Sequence, residues 1–156
     1  MTTINRRMTA RLDGEFAVFL IGVRINQPWN VRAWWPVFSA MPRMLAELSK
    51  QPELGLLHYR THFGLRGAMV VQYWRSFELL NGYAQSRTAA HLPAWRAFNE
   101  AVGTNGAVGI WHETYISGPG RYENVFVNMP AYGLGRAGTL VEAKGEHASA
   151  AKRLGL

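Results

Sequence analysis

The most restrictive feature of this sequence is the order in which its hydrophobic periodicities follow one another. Residues 15–25 (EFAVFLIGVRI) form a near-continuous apolar run of β-formers, the pattern of a strand covered on both faces. From Val31 to Lys50 the period changes, and Val31, Trp34, Trp35, Phe38, Met41, Leu45 and Leu48 fall on one helical stripe. Pro36 suits a first turn, whereas Pro42 predicts a kink or a split. Residues 53–63 and 66–75 are two β-rich runs joined by Gly64-Leu65, which predicts a hairpin. Ser76 then reads as an N-cap, with Phe77, Leu79, Leu80 and Tyr83 on the buried side of a helix. A second helical piece starts near Thr88, where His91, Trp95, Phe98 and Val102 recur at spacings of four, three and four. After the Gly103–Gly106 loop, residues 107–116 (AVGIWHETYI) read as a further strand. The order is βαββαβ. It predicts an α+β, ferredoxin-like domain: an antiparallel four-stranded sheet with helices on one face.

Residues 1–14 read as an N-terminal arm, 15–143 as the domain, and 144–156 as a tail expected to fray. Gly118-Pro119-Gly120 is a turn, and residues 122–128 are short and extended. A chain of 156 residues can bury one core without staples. With no Cys, disulfides, thiolate metal sites, Fe–S clusters and a cysteine nucleophile are excluded. No apolar run has the length of a signal peptide or a membrane span, so the expectation is a cytoplasmic protein with no membrane partner.

Seventeen Lys and Arg against ten Asp and Glu invite a nucleic-acid reading, but the basic residues are scattered. The βαββαβ order is shared with RNA-recognition modules, whose third-strand motif needs rings where bases stack. The equivalent run here is Arg66, Gly67, Ala68, Met69, Val70, Val71, Gln72, Tyr73, with Ala68 and Val70 in place of those rings. Base stacking is worth about 1–3 kcal/mol per base, so no nucleic-acid partner is expected. A sheet with helices on one face and small apolar residues on the other leaves an open face, which a second copy would cover as a two-fold homodimer. The alternative is that the C-terminal segment folds over it.

Three residues are candidates for chemistry. His91 shares a stripe with Trp95 and Phe98 and, pointing inward, would serve as base, ligand or donor; the alternative is a half-exposed capping histidine. His112 and Glu113 are adjacent in a strand, so they face opposite sides and cannot act as a direct pair. Glu113 calls either for catalysis or for an Arg partner at a dimer interface. His58 and His62 share a strand face about 13 Å apart, too far for one metal, and no metal site is expected. Tyr73, Trp74, Tyr83 and Trp95, with Phe98 and Tyr115, are the aromatic candidates for a substrate pocket, against the alternative of plain core. GxGxxG, GxxxxGK[ST] and GxSxG are absent.

The run from Ser76 (SFELLNGYAQSRTAAHLPAWRAFNE) and the later VGIWHETYISGPGRYENVFVNMPAYGLG resemble the monooxygenase-like family of the dimeric α/β-barrel superfamily, in which the fumagillin-pathway polyketide monooxygenase belongs. The similarity spans residues 14–141, and HLPAW, WHETY and NMPxxGLG carry most of it. The resemblance implies a ferredoxin-like protomer and a dimeric α/β barrel. It also implies a monooxygenase-like oxidoreductase acting on a hydrophobic aromatic or polyketide-like molecule in a buried pocket, with His91 as acid/base. Members of the superfamily work either without a cofactor or with haem. The expectation here is no cofactor, with haem as the alternative. A more distant likeness to haem-containing aldoxime dehydratases would make His91 or His112 the haem ligand or acid–base group. A non-catalytic protein that binds an apolar ligand is the other alternative.

Overall fold

The computed structural model describes residues 2–86, 93, 96, 98–100 and 105–156. Four strands form the main sheet: β2 (Phe16–Ile25), β3 (Leu56–Gly64), β4 (Gly67–Trp74) and β5 (Val108–Ser117). Their order across the sheet is β3-β4-β2-β5 and every pairing is antiparallel. With α1 (Val31–Lys50) after β2 and α2 (Phe77–Gln85) after β4, the sheet has the α+β, ferredoxin-like order expected of it. Ser76 caps α2 as anticipated, its hydroxyl accepting from the Leu79 backbone N–H at 3.3 Å. Residues 93, 96 and 98–100 are helical.

Strand parity decides what each face of this sheet touches. Ala17 and Trp74, paired across β2 and β4, pack with Leu48 of α1 and with Leu80 and Tyr83 of α2. Trp74 is 1% exposed, and its indole N–H donates to the Gln72 side-chain oxygen at 2.8 Å. At the other end of the sheet, Val108 and Ala107 pack on Ala33 of α1 with Val23, Trp34, Val37 and Phe98. Thus α1 is fastened at both ends. Ala68 and Val70 share Trp74's parity and so face the helices, not the open side. The expectation that small apolar side chains mark an uncovered face is corrected accordingly. α1 also runs unbroken through Pro36 and Pro42, because both of its ends are held by these clusters and the lost hydrogen bonds fall on its exposed side.

The opposite face of the sheet is partly covered by elements that periodicity did not reveal. β1 (Ile4–Arg11) pairs with β6 (Phe126–Met129) on one side and β7 (Thr139–Glu142) on the other, making a second, three-stranded sheet. Phe16, on the other side of β2 from Ala17, packs edge-on against Tyr122 at 5.0 Å. It shares a core with Ala10, Leu134 of α3 (Leu134–Ala137), Val18 and Tyr73. Asn124 replaces a strand neighbour, accepting from the Ala10 N–H and donating to the Ala10 carbonyl. The segment expected to fray after residue 143 instead ends in a short helix, α4 (Ala150–Leu154). Arg153 ties it down through Glu123 at 2.6 Å and the His147 carbonyl at 2.8 Å.

The hairpin is pinned where Gly67 passes β2, since a Cβ there would lie 1.8 Å from the Val23 carbonyl oxygen. Gly67→Ala is therefore expected to cost at least about 2 kcal/mol of unfolding free energy in urea denaturation, by forcing β4 away from β2.

Candidate functional site

Between the two fastened ends of α1 the sheet and helices do not meet, and a cavity of about 760 Å³ is left. Its floor is three consecutive cross-strand rows. Tyr59, Phe19 and Thr114 surround Gln72 in the first row; Thr61, Val70, Ile21 and His112 form the second; Phe63, Ala68, Val23 and Ile110 form the third. The roof comes from Phe38, Met41 and Met44 of α1, Phe77 and Leu80 of α2, and Phe98. Small residues make the room, with Ala40, Ala46, Ala68 and Ala84 where larger side chains would fill it. Among the described residues the lining contains no charged side chain, and its polar groups are Tyr59, Thr61, Asn81, Thr114 and His112. Apolar walls with a few polar groups are what such a lining offers to anything that enters it.

His112 lies on the cavity side of β5, its ring 5.6 Å from that of Phe19. β5 is an edge strand, so the imidazole is both a cavity wall and exposed to solvent. Phe98, the other anticipated pocket residue that lines the cavity, stands across it. The remaining candidates separate. Trp74 and Tyr83 are in the packed core beyond the end of the cavity. Tyr73 points from β4 into the opposite core, with its ring against Gly133. Glu113 and Tyr115 also face away from the cavity, where the Tyr115 hydroxyl donates to the Glu113 carboxylate at 2.7 Å. That hydrogen bond holds the Tyr115 phenol above its usual range. On this edge strand Glu113 is exposed, and the partner its carboxylate has is a tyrosine in place of the expected Arg. His91 and Trp95 lie outside the described residues.

Phe19, Tyr59 and Met44 belong to the cavity and were not singled out in the sequence, while Phe38 and Met41 entered only as members of the α1 stripe. The signal that finds Phe19 and Tyr59 is parity with Trp74 across the cross-strand register. A run as uniformly apolar as residues 16–25 hides that parity. His58, on the other side of β3, is held below its usual pKa by burial and by the Arg136 and Arg60 charges. No group of three potential metal ligands occurs among the described residues.

α1 and α2 are joined at the cavity's closed end, where the Tyr83 hydroxyl donates to the Glu47 carboxylate at 2.7 Å. Burial and this carboxylate push the Tyr83 phenol far above its ordinary value. A raised phenol favours folding fully below about pH 10, and the advantage is lost as pH rises further and the unfolded chain alone ionises. Tyr83→Phe should lower stability by about 2 kcal/mol at neutral pH. It should also flatten the loss of stability above about pH 10 relative to the unmodified protein, as read by thermal melts across that range.

A model of the family described as Monooxygenase af470-like matches residues 16–134. Monooxygenase af470 of Aspergillus fumigatus is 29% identical over 133 residues, covering 79% of this chain and 46% of that protein. A crystal structure of the aldoxime dehydratase OxdRE in complex with butyraldoxime superposes with a TM-score of 0.66 at 15% identity, covering 80% of this chain and 37% of that one. A second aldoxime dehydratase gives 0.64 at 18% identity, covering 85% and 41%. The chain therefore spans less than half the length of each of these relatives. At these identities the two dehydratase structures bear on the fold alone.

Proposed function

Since the chain belongs to the monooxygenase af470-like family, we propose that it oxidises an apolar, ring-containing small molecule in the cavity between sheet and helices, with a histidine moving the substrate's proton. The observation that carries this reading is a large uncharged cavity with one imidazole, that of His112, on its described wall. A base beside the apolar side chains of Phe19, Val70 and Ile21 removes an acidic phenol or C–H proton, giving a carbanion or phenolate. For a methylene activated by flanking rings or carbonyls, the overall change CH₂ + O₂ → C=O + H₂O balances. The four electrons come from the substrate, one oxygen atom stays on carbon and the other leaves as water. His91 is the second candidate base, on the family resemblance.

A haem would need a ligand and partners for its two propionates. His112 could supply the first, but the described lining contains no Arg or Lys for the second, so these residues do not compose a haem site and no step is assigned to one. A purely ligand-binding role differs from the oxygenase in one measurable way. In the oxygenase, His112→Ala with an activated polycyclic substrate should cut oxygen uptake by about 10²–10⁴-fold while the substrate's affinity changes little. If the unmodified protein consumes oxygen and neither His112→Ala nor His91→Ala alters the rate, the histidine-base mechanism falls; if the unmodified protein consumes no oxygen with any such substrate, the oxygenase reading falls and the protein is a binder.

The same reading includes a homodimer. Trp111 is 39% and Tyr115 55% exposed on the face of β5 away from the cavity, and the Trp111 ring lies directly over Gly22 of β2. The second sheet does not reach this corner. A second copy would cover it with its own Trp111 and Tyr115 in an isologous contact. Trp111→Asp is expected to shift a dimer to monomer in light scattering at micromolar concentration, with the secondary structure retained.

A further inference from the structure

We infer that the end of the molecule formed by the β2–α1 loop, the first turns of α1 and the tip of the β3–β4 hairpin is a docking surface for an anionic lipid bilayer. Large apolar side chains are exposed here. Trp29 is 78% exposed, Phe63 75%, Trp35 58%, and Leu65 is fully exposed at the hairpin tip. Backbone ties hold these turns together. The Ile25 N–H donates to the Arg66 carbonyl at 2.7 Å, and the Trp34 indole N–H donates to the Pro28 carbonyl at 3.1 Å. The rings are also continuous: Phe63 to Phe38 is 6.4 Å, Phe38 to Trp34 is 6.2 Å, and Trp34 to Trp35 is 6.0 Å between centroids. Phe63 and Phe38 are cavity walls, so this surface is an outward extension of the cavity lining.

Charge selects the occupant. Residues 16–46 contain Arg24, Arg32 and Arg43 and no Asp or Glu, and residues 54–77 contain Arg60, Arg66 and Arg75 and again no acid. Arg24, Arg32 and Arg66 are exposed at this end, among the rings. A second copy docked here in two-fold fashion would set the same arginines against one another, with no carboxylate from either segment between them, which opposes a homodimer through this face. An anionic headgroup layer meets both features at once, since indole rings settle at the headgroup level and arginines pair with lipid phosphates and carboxylates. No described helix is long and apolar enough to cross a membrane, and contact with a bilayer surface needs none. The inference departs from the sequence expectation of no membrane partner. Entry of an apolar ligand from the bilayer into the cavity rests on the proposed function, whereas bilayer binding does not.

The test is cosedimentation of the full chain with vesicles of phosphatidylcholine alone and of phosphatidylcholine mixed with phosphatidylserine. Alongside run Trp29→Ser/Leu65→Ser and Arg32→Gln/Arg66→Gln, whose side chains are exposed and whose folding is checked by thermal melting. The expected result is binding to the mixed vesicles that weakens with added salt and is about tenfold or more weaker for either double variant and for phosphatidylcholine alone. Absence of vesicle binding, or binding that neither double variant weakens, overturns the inference. So does a fall in molecular mass of Trp29→Ser/Leu65→Ser without any vesicle binding, which would make the face a contact between copies. Retention on immobilised polyglutamate without vesicle binding would assign it to an acidic protein instead. None of these readouts involves oxidation, so their failure is separate from failure of the oxygenase reading.

Discussion

Everything in this fold depends on β2 being covered on both faces at once. Ala17 faces the helices, where it is fully buried beneath Trp74 and Leu48, while Phe16, one residue away, is buried against Tyr122 and Leu134 on the other side. At Phe16 and Ala17 the strand has no solvent face on which to place a polar residue, and from Phe19 to Val23 one side lines the apolar cavity, which is why residues 16–23 read as an almost unbroken apolar run. The second sheet is therefore part of the domain's core, and the β1 and β7 segments contribute Ala10 and Leu140 to it. Removing that layer would leave Phe16 and Val18 in water, at about 1.5–3 kcal/mol for each side chain so exposed.

The cavity follows from how the helices are attached. One cluster, around Trp74, Leu48, Leu80 and Tyr83, fastens α1 and α2 at one end of the sheet, and the other, around Ala33, Ala107 and Val108, fastens α1 at the opposite end. In between, Ala40, Ala46, Ala68 and Ala84 stand among the lining residues where larger side chains would fill the space, and protein interiors do not close such a gap without moving the fastened ends. Gln72 marks the border. Its carbonyl is taken up by the Trp74 indole, and its cross-strand neighbours Phe19 and Tyr59 already belong to the cavity. The empty space is thus held open by the packing around it.

The βαββαβ order was legible because each element announces its own period: the helical stripe of residues 31–50, the Gly64-Leu65 break in the hairpin, and Ser76 as a cap. β1 was not, since INRRMTAR alternates poorly and its burial depends on partners more than a hundred residues away, β6 and β7. The site was half legible. The opposition of His112 and Glu113 followed from strand parity alone, and the structure places them on opposite faces. The aromatic candidates Trp74 and Tyr83 are core, the alternative also open to them, because a ring that fills a core and a ring that lines a cavity occupy the same inward-facing positions. What separates them is whether a side chain of the opposing element reaches across, and that is a property of pairs no single run of sequence displays.

The polar groups of the cavity are distributed in a way that bears on how a ligand would lie. Tyr59 and Thr61 are on β3, at one edge of the sheet, while His112 and Thr114 are on β5, at the other. The central strands β4 and β2 contribute Ala68, Val70, Phe19, Ile21 and Val23 to the same floor. Three interstrand spacings separate the edges, about 14 Å, so hydrogen-bonding groups stand at the two ends of an apolar floor. An elongated, flat molecule with oxygen functions at both ends satisfies both edges when it lies across the strands, whereas lying along them leaves one set of polar groups unmet. Tyr59 and Thr61 are half-buried, so a ligand that covers them without bonding to them carries a cost, whereas His112 and Thr114 are exposed and keep water as an alternative partner. The crosswise orientation brings one end of the molecule to His112, the one imidazole among the described cavity side chains.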